Sequence, residues 1–163
     1  MFRNFIFMLC VSLCVACDGG APKPNIGTVA PAFVAAGPDG GTAHFPADFR
    51  GKPVIIRFWA EWCRFCAGEM KAIDKVYQRR RGQGLHVLAV NAGQDRETVA
   101  AFIKKIGVSY PALLDEDSVI TRLYGVVGLP TTYFVGSDGL IKNKVVGEAD
   151  EAVFDRLAAE LLK

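Results

Sequence analysis

The sequence predicts one α/β domain, built on a mixed central sheet that is flanked by helices. Two apolar, β-branched runs, PVIIRFWA (53–60) and LHVLAVNA (85–92), are typical of buried strands. A segment of helical periodicity follows each run, and this alternation favours parallel strands joined by right-handed crossovers. The later segment TTYFVGSDGLIKNKVVG (131–147) has two strand-like halves around a turn, which adds an antiparallel hairpin to the sheet.

Length and composition agree with a single domain. The chain has 163 residues, 51% of them hydrophobic, which is enough for a compact core. Its 19 Lys and Arg nearly balance its 17 Asp and Glu, so the bulk charge gives no indication of a nucleic acid or a strongly acidic partner.

The first sixteen residues have the pattern of a secretory signal. Arg3 precedes twelve uncharged, mainly apolar residues, 5–16. At ~1.5 Å per residue these would cover about 18 Å as a helix, which is too short for a hydrocarbon core of about 30 Å. We therefore expect residues 1–16 to be a cleaved signal peptide rather than a membrane span.

The end of this signal, LCVAC (13–17), resembles the lipobox of bacterial lipoproteins, in which a small residue precedes a cysteine that becomes lipid-modified and N-terminal. Asp18 resembles the residue that retains enteric lipoproteins at the inner membrane. The resemblance implies a lipidated Cys17, a tether over 17–27, and anchoring to the inner membrane on the periplasmic side. The alternative is an ordinary signal peptide that leaves a soluble periplasmic protein with a free Cys17.

The folded domain is expected to span residues 28–163, after the Gly- and Pro-rich stretch 18–27. Turn signals, apolar periodicity and Gly stops define its elements. In order, these are two short strands around GPDGG within 31–45, the strand 53–60, a helix over 64–81, the strand 85–92, a helix over 95–107, a short strand, a short helix over 117–126, the hairpin 131–147 and a terminal helix over 151–162.

Two cysteines lie three residues apart in FWAEWCRFCAGEM (58–70), where the first buried strand meets the next helix. They could be a redox pair, half of a metal site, or a structural staple. A staple is disfavoured because so short a loop constrains the unfolded chain little. Metal is disfavoured because a tetrahedral site needs two more ligands, and the only histidines are His44 and His86.

The redox interpretation suits both positions. The sulfur of Cys63 would lie by the first turn of the helix, where unpaired N–H groups and the helix dipole stabilise a thiolate. Helical geometry places the Cα atom of Cys66 about 5 Å away, within the roughly 4.4–6.8 Å that a disulfide tolerates. The sequence thus predicts that Cys63 attacks and Cys66 resolves, with no cofactor besides the Cys63–Cys66 disulfide.

The segment FWAEWCRFC resembles the active site of thioredoxins, and GVVGLPTTYFV resembles their cis-proline loop. The amino-terminal hairpin before FRGKPVIIRFWA, the segment CAGEM and an extra helix and strand at 95–114 resemble the TlpA/ResA-like branch of exported bacterial thioredoxins. The resemblance covers residues 28–163. It implies a thioredoxin-like fold with an N-terminal β-hairpin and an inserted helix–strand segment.

The resemblance also implies a function, namely thiol-disulfide exchange with exported proteins. In that branch the usual task is reduction, including that of apocytochrome c before haem attachment, with electrons from a membrane thiol carrier. An oxidant of folding exported proteins is the alternative within the class. A copper-handling or redox-inert binding module of the same fold is the alternative outside it.

By the same resemblance, Pro130 is expected to be cis and to face the dithiol. Leu129 and Thr131 would border a substrate groove in which an extended peptide pairs with the backbone. Trp62 would be an exposed contact beside the dithiol, whereas Trp59 is expected in the core.

Arg57 departs from the thioredoxin pattern, because it stands where thioredoxins bury the aspartate that handles the proton of the resolving cysteine. An arginine stays protonated and cannot act as a base. Glu69, one helical turn beyond Cys66, is the candidate to replace that aspartate. Alternatively, Glu69 merely interacts with the helix dipole.

The two residues between the cysteines, Arg64 and Phe65, are a second departure, since reducing thioredoxins usually have Pro before the second cysteine. Both are expected to contact substrate. Arg64 would either stabilise the Cys63 thiolate, which makes the disulfide more oxidising, or remain solvated without effect.

Overall fold

The structure is a computed structural model that describes residues 24–163. The expected signal peptide over 1–16, Cys17 and most of the expected tether lie outside the described residues. In the described part of the chain, no helix is long and apolar enough to cross a membrane.

Strands and helices follow one another in the predicted order. The strands are β1 (Phe33–Ala36), β2 (Thr42–Phe45), β3 (Val54–Trp59), β4 (His86–Ala92), β5 (Ala112–Asp115), β6 (Thr131–Val135) and β7 (Ile141–Val146). The α-helices are α1 (Cys66–Arg80), α2 (Arg96–Ile106), α3 (Val119–Leu123) and α4 (Glu151–Leu161). Helix α1 begins at Cys66 rather than at Arg64, because the N–H of Cys66 donates to the carbonyl of Cys63 in a tight turn before the helix.

The central sheet is mixed and has the strand order β5-β4-β3-β6-β7. Strand β3 pairs in parallel with β4 and antiparallel with β6, and β6 and β7 form the late hairpin. Strands β1 and β2 form a separate antiparallel hairpin. The predicted fold class is therefore confirmed, including the amino-terminal hairpin and the added α2–β5 segment.

Two hydrophobic cores lie on opposite faces of this sheet, because alternate residues of β3 point to opposite sides. Ile55 and Trp59 belong to the core formed with α1, α2 and α4. Ile56 and Phe58 belong to the core formed with the β1–β2 hairpin and α3. Every residue of β3 is buried, as both faces are covered, and Trp59 lies in the core as predicted.

Helices α1 and α4 are also joined by ion pairs at the C-terminal end of α1. Arg79 contacts Glu151 at 2.7 Å between Nη1 and Oε1, and Arg80 contacts Asp155 at 2.9 Å between Nη2 and Oδ2. These four side chains are partly exposed, so water screens their attraction and each pair adds little stability.

A buried aspartate fixes the start of α3, the helix that leads into the proline loop. Ser118, the residue before α3, makes no capping bond with its side chain. Instead, the carboxylate of Asp115 accepts hydrogen bonds from the N–H groups of Ile120 (2.9 Å) and Thr121 (2.7 Å) and from the Thr121 hydroxyl (2.6 Å). Asp115 thus joins the end of β5 to the first turn of α3.

We expect the substitution Asp115→Asn to lower the free energy of unfolding by about 1–3 kcal/mol, because its amide NH₂ would replace one acceptor of these bonds with a donor. Urea denaturation measures the change. The matched control is Asp117→Asn, at an exposed aspartate of the same loop, which should alter stability by less than about 0.5 kcal/mol. Equal stability of the two variants would show that α3 does not depend on this carboxylate.

Candidate active site

Cys63 and Cys66 form a disulfide at the C-terminal edge of β3. Their Cα atoms are 5.4 Å apart, close to the expected separation. Cys66 is the first residue of α1 and is fully buried, whereas Cys63 lies in the preceding turn and is 7% exposed. The N–H of Cys63 donates to the carbonyl of Ala60 at 3.2 Å, which folds the turn back onto the end of β3. Of the two cysteines, Cys63 is therefore the one that a partner sulfur can approach.

The cis-proline loop lies at the same edge of the sheet. Phe58, near the end of β3, pairs with Thr131 at the start of β6, so the segments beyond these residues meet. The Leu129–Pro130 peptide bond is cis, as expected. Leu129 packs against the core cluster that contains both cysteines. Pairing of β3 with β6 thus brings together two loops that are distant in sequence.

Hydrogen bonds fix the shape of this proline loop. The buried hydroxyl of Thr131 donates to the carbonyl of Gly128 at 2.7 Å. The carbonyl of Pro130 accepts from the N–H of Gly147 at 2.9 Å, which joins the loop to the end of β7. A second cis peptide bond, Phe45–Pro46, lies at the end of the amino-terminal hairpin, and no sequence signal had indicated it.

Large apolar side chains are exposed around the dithiol. Trp62 is 68% exposed and Phe65 is 40% exposed, and both belong to the turn that carries the cysteines. Val127, in the loop that leads to Pro130, is 88% exposed. The guanidinium carbon of Arg64 lies 5.3 Å from the centroid of the Phe65 ring, so Arg64 covers its neighbour in a cation–π contact.

A buried ion pair lies behind the dithiol. Arg57, in the middle of β3, is fully buried and donates from Nη2 to Oε2 of Glu69 in α1. Its Nη1 donates to the hydroxyl of Thr132 at 2.8 Å. The other oxygen of Glu69, Oε1, accepts from the N–H of Ala149 at 2.8 Å. Glu69 therefore links β3, α1 and the segment before α4.

The sequence gives separate interpretations for Arg57 and Glu69 and does not predict this pair. The available signal was Arg57 itself, since a charge inside an otherwise apolar strand needs a buried counter-charge. Glu69 is the acidic residue in the first turn of α1, the helix that covers this face of β3.

Burial lowers the pKa of Arg57 below its ordinary value, and the charge and hydrogen bond of Glu69 oppose that shift. Because the ordinary value is so high, Arg57 still carries its proton at neutral pH. The nearby phenol of Tyr110 is neutral, because burial raises its pKa. Its hydroxyl donates to the carbonyl of Met70 in α1 at 2.8 Å.

A groove of about 500 Å³ runs beside the dithiol, between the first turn of α1 and the segment before α4. Its walls are formed by Arg64, Phe65, Gly68, Glu69, Glu148, Ala149 and Asp150. The groove is open, and its walls carry positive and negative charges and an aromatic ring. Such a surface suits a peptide segment better than a small apolar molecule. Within residues 24–163, no three His, Cys, Asp or Glu side chains gather where they could hold a metal ion.

Comparison with known proteins agrees with this geometry. The AhpC/TSA family model matches residues 26–144. The thiol-disulfide oxidoreductase ResA of Geobacillus thermodenitrificans is 34% identical over 122 residues, which cover 75% of this chain and 70% of that protein. ResA of Bacillus subtilis is 33% identical over 134 residues, which cover 82% of this chain and 74% of that protein.

The fold also matches a solved structure, that of a thiol:disulfide interchange protein of the thioredoxin family from Chlorobium tepidum. The TM-score is 0.76 at 24% identity, and the match covers 88% of this chain and 100% of that one. The predicted family and enzyme class are thereby confirmed. The chain belongs to the AhpC/TSA family and, with its thioredoxin-like fold and its Cys63–Cys66 pair, to the ResA-like thiol-disulfide oxidoreductases.

Proposed function

We propose that this oxidoreductase works as a reductase of exported proteins, with apocytochrome c before haem attachment as one substrate. The observation that carries the proposal is the position of the Cys63–Cys66 pair beside the cis-proline loop, with Cys63 the more exposed cysteine. The ResA name of the relatives and the match in fold support it. The disulfide itself is the only redox group that the reaction requires.

In the reductive direction, the thiolate of Cys63 attacks one sulfur of a substrate disulfide, and the other substrate sulfur leaves as a thiolate. Cys66 then loses its proton and attacks the sulfur of Cys63. The Cys63–Cys66 bond forms while the bond between Cys63 and the substrate breaks. Two electrons pass to the substrate, and its two thiolates take up the protons that the dithiol releases.

Substrate binding is assigned to the two loops that meet at this edge. Trp62, Arg64 and Phe65 supply contacts from the cysteine turn, while Leu129, Pro130 and Thr131 supply the opposite side. An extended peptide beside the proline loop can pair with its backbone, which orients the substrate disulfide independently of most side chains. The exposed rings of Trp62 and Phe65 suit apolar segments of incompletely folded proteins.

Location and electron supply complete the proposal. The signal peptide over 1–16 and lipidation of Cys17 would hold the domain on the periplasmic face of the inner membrane, by a tether over 17–27. A membrane thiol carrier would then reduce the Cys63–Cys66 disulfide after each turnover. Without lipidation the protein would be soluble in the periplasm.

For the dithiol, we expect the reduced protein to reduce the disulfides of insulin, because only a thiolate at Cys63 is needed to start the exchange. Cys63→Ser should lower the rate to background, whereas Cys66→Ser should accumulate mixed disulfides that are visible on non-reducing gels. Asp117→Asn, remote from the dithiol in sequence and exposed, serves as the control with unchanged turnover. Full turnover by Cys63→Ser would contradict the assignment.

For the tether, we expect the protein expressed with its own signal to sediment with membranes. A single acyl chain binds a membrane only marginally, but two or more chains anchor stably. Cys17→Ala should release the protein or block its processing, whereas the control Cys10→Ala, within the signal, should behave as the wild type. A wild-type protein that stays in the soluble fraction would favour an ordinary signal peptide.

For the direction of electron flow, we expect a redox potential nearer to about −270 mV, the value of thioredoxin, than to about −120 mV, the value of a strong periplasmic oxidant. The charge of Arg64 is exposed to solvent, which screens it, and its guanidinium lies over Phe65. Equilibration with glutathione, followed by tryptophan fluorescence, gives the potential. A potential near about −120 mV would instead favour a second function, the oxidation of exported proteins. The absence of Pro before Cys66 supports that second function, since reducing thioredoxins usually have Pro there.

A further inference from the structure

Arg57 is the most deeply buried charge in the described part of the chain and has no role in the mechanism above. It is fully buried in the middle of β3, on the face that α1 and α4 cover. We propose that Arg57 is a positioning residue, which holds and neutralises the carboxylate of Glu69 beside Cys66 and thereby sets the redox potential of the dithiol. The proposal rests on the proposed function only in taking Cys63 and Cys66 as the reacting pair.

The distance between the ion pair and Cys66 is set by the helix. Cys66 and Glu69 are separated by three residues in α1, so they lie on the same face with Cβ atoms about 5–6 Å apart. The core cluster that contains Cys66 also contains Phe154, and the guanidinium carbon of Arg57 lies 5.9 Å from the centroid of the Phe154 ring. Glu69 thus lies one helical turn from Cys66, and the buried guanidinium of Arg57 contacts its carboxylate directly.

Glu69 cannot adjust its position freely. One of its oxygens is held by Arg57 and the other by the N–H of Ala149. Arg57 is itself held by Thr132. The arrangement therefore fixes a carboxylate near Cys66 and places a compensating positive charge directly beside it.

Charge compensation is what links this pair to the dithiol. An uncompensated negative charge would disfavour a thiolate at either cysteine, and an uncompensated positive charge would favour it. The other ionisable groups near the pair are the neutral phenol of Tyr110 and the solvent-facing Arg64, Glu148 and Asp150 of the groove. Tyr110 is buried but uncharged, and the three charged groups are exposed, so none of them compensates the charge that remains when one partner is removed.

The sign of the effect differs between the two partners. Arg57→Met leaves Glu69 uncompensated, destabilises the reduced form and should make the potential more negative. Glu69→Gln leaves Arg57 uncompensated, stabilises the thiolate of the reduced form and should make the potential less negative. The double variant removes both charges, so its potential should return towards that of the wild type.

The test is the equilibrium of each purified full-length variant with reduced and oxidised glutathione at pH 8, where thiolates are well populated. We expect each single variant to change the equilibrium constant at least about tenfold, in opposite directions, which corresponds to about 30 mV for a two-electron couple. The double variant should lie within about threefold of the wild type.

Matched controls separate a local charge effect from a general one. Arg80→Met and Asp155→Asn make the same charge changes in the α1–α4 ion pair at the far end of α1, about 21 Å along the axis from Cys66. Each should change the equilibrium constant less than about twofold. Arg57→Lys retains the charge but not both hydrogen bonds, so it should lose stability while keeping a potential near that of the wild type.

The results distinguish a tuning role from a purely structural one. If both single variants lose stability but shift the potential in the same direction, or by less than about twofold in the equilibrium constant, the proposal is wrong. If Arg57→Met does not fold, the comparison of Glu69→Gln with Arg57→Lys tests the proposal. Glu69→Gln should shift the redox potential, whereas Arg57→Lys should not. This test uses glutathione, whereas the proposed function is tested with insulin. The role of Arg57 can therefore be refuted while the wild type still reduces insulin, and it can be confirmed even if the wild type does not.

Discussion

The antiparallel pairing of β3 with β6 organises both the central sheet and the active site. It places Phe58 opposite Thr131, so that the turn with the two cysteines and the loop with the cis-proline emerge side by side at one edge of the sheet. The two loops have complementary roles, because the thiolate supplies the attack and the opposite loop offers a surface that can orient the disulfide. A central strand covered on both faces holds this edge rigid.

The position of β3 in the middle of the sheet has an electrostatic consequence. Its side chains alternate between two cores, and one of the buried positions is occupied by Arg57. A buried charge of this kind is tolerated only with a close counter-charge and with hydrogen bonds to its remaining donors. Glu69 and Thr132 provide them, and in doing so they connect β3, β6 and the first turn of α1, which begins at Cys66. If the proposed tuning holds, stability and redox chemistry depend on the same few side chains.

The face of the sheet opposite to this ion pair supports the proline loop. The hairpin packs on it through Phe33, whose ring centroid lies 5.9 Å from that of Tyr124. The hydroxyl of Tyr124 reaches back to the carbonyl of Pro31 at 2.7 Å. With the start of α3 held by Asp115, the chain enters the loop before Pro130 from a fixed point. The amino-terminal hairpin thus acts on the active site indirectly, through the helix that it packs against.

The order of the elements, the mixed sheet and the cysteine pair could be predicted from the sequence, because periodicity, turn residues and short motifs are local properties of the chain. The cis-proline loop was predicted from the resemblance of GVVGLPTTYFV to thioredoxins. The pairing of Arg57 with Glu69 and the capping of α3 by Asp115 became evident only in the folded structure. Each of these depends on which polar groups are buried together after folding. A buried donor or acceptor must find a partner in space, and no local pattern specifies which residue that partner is.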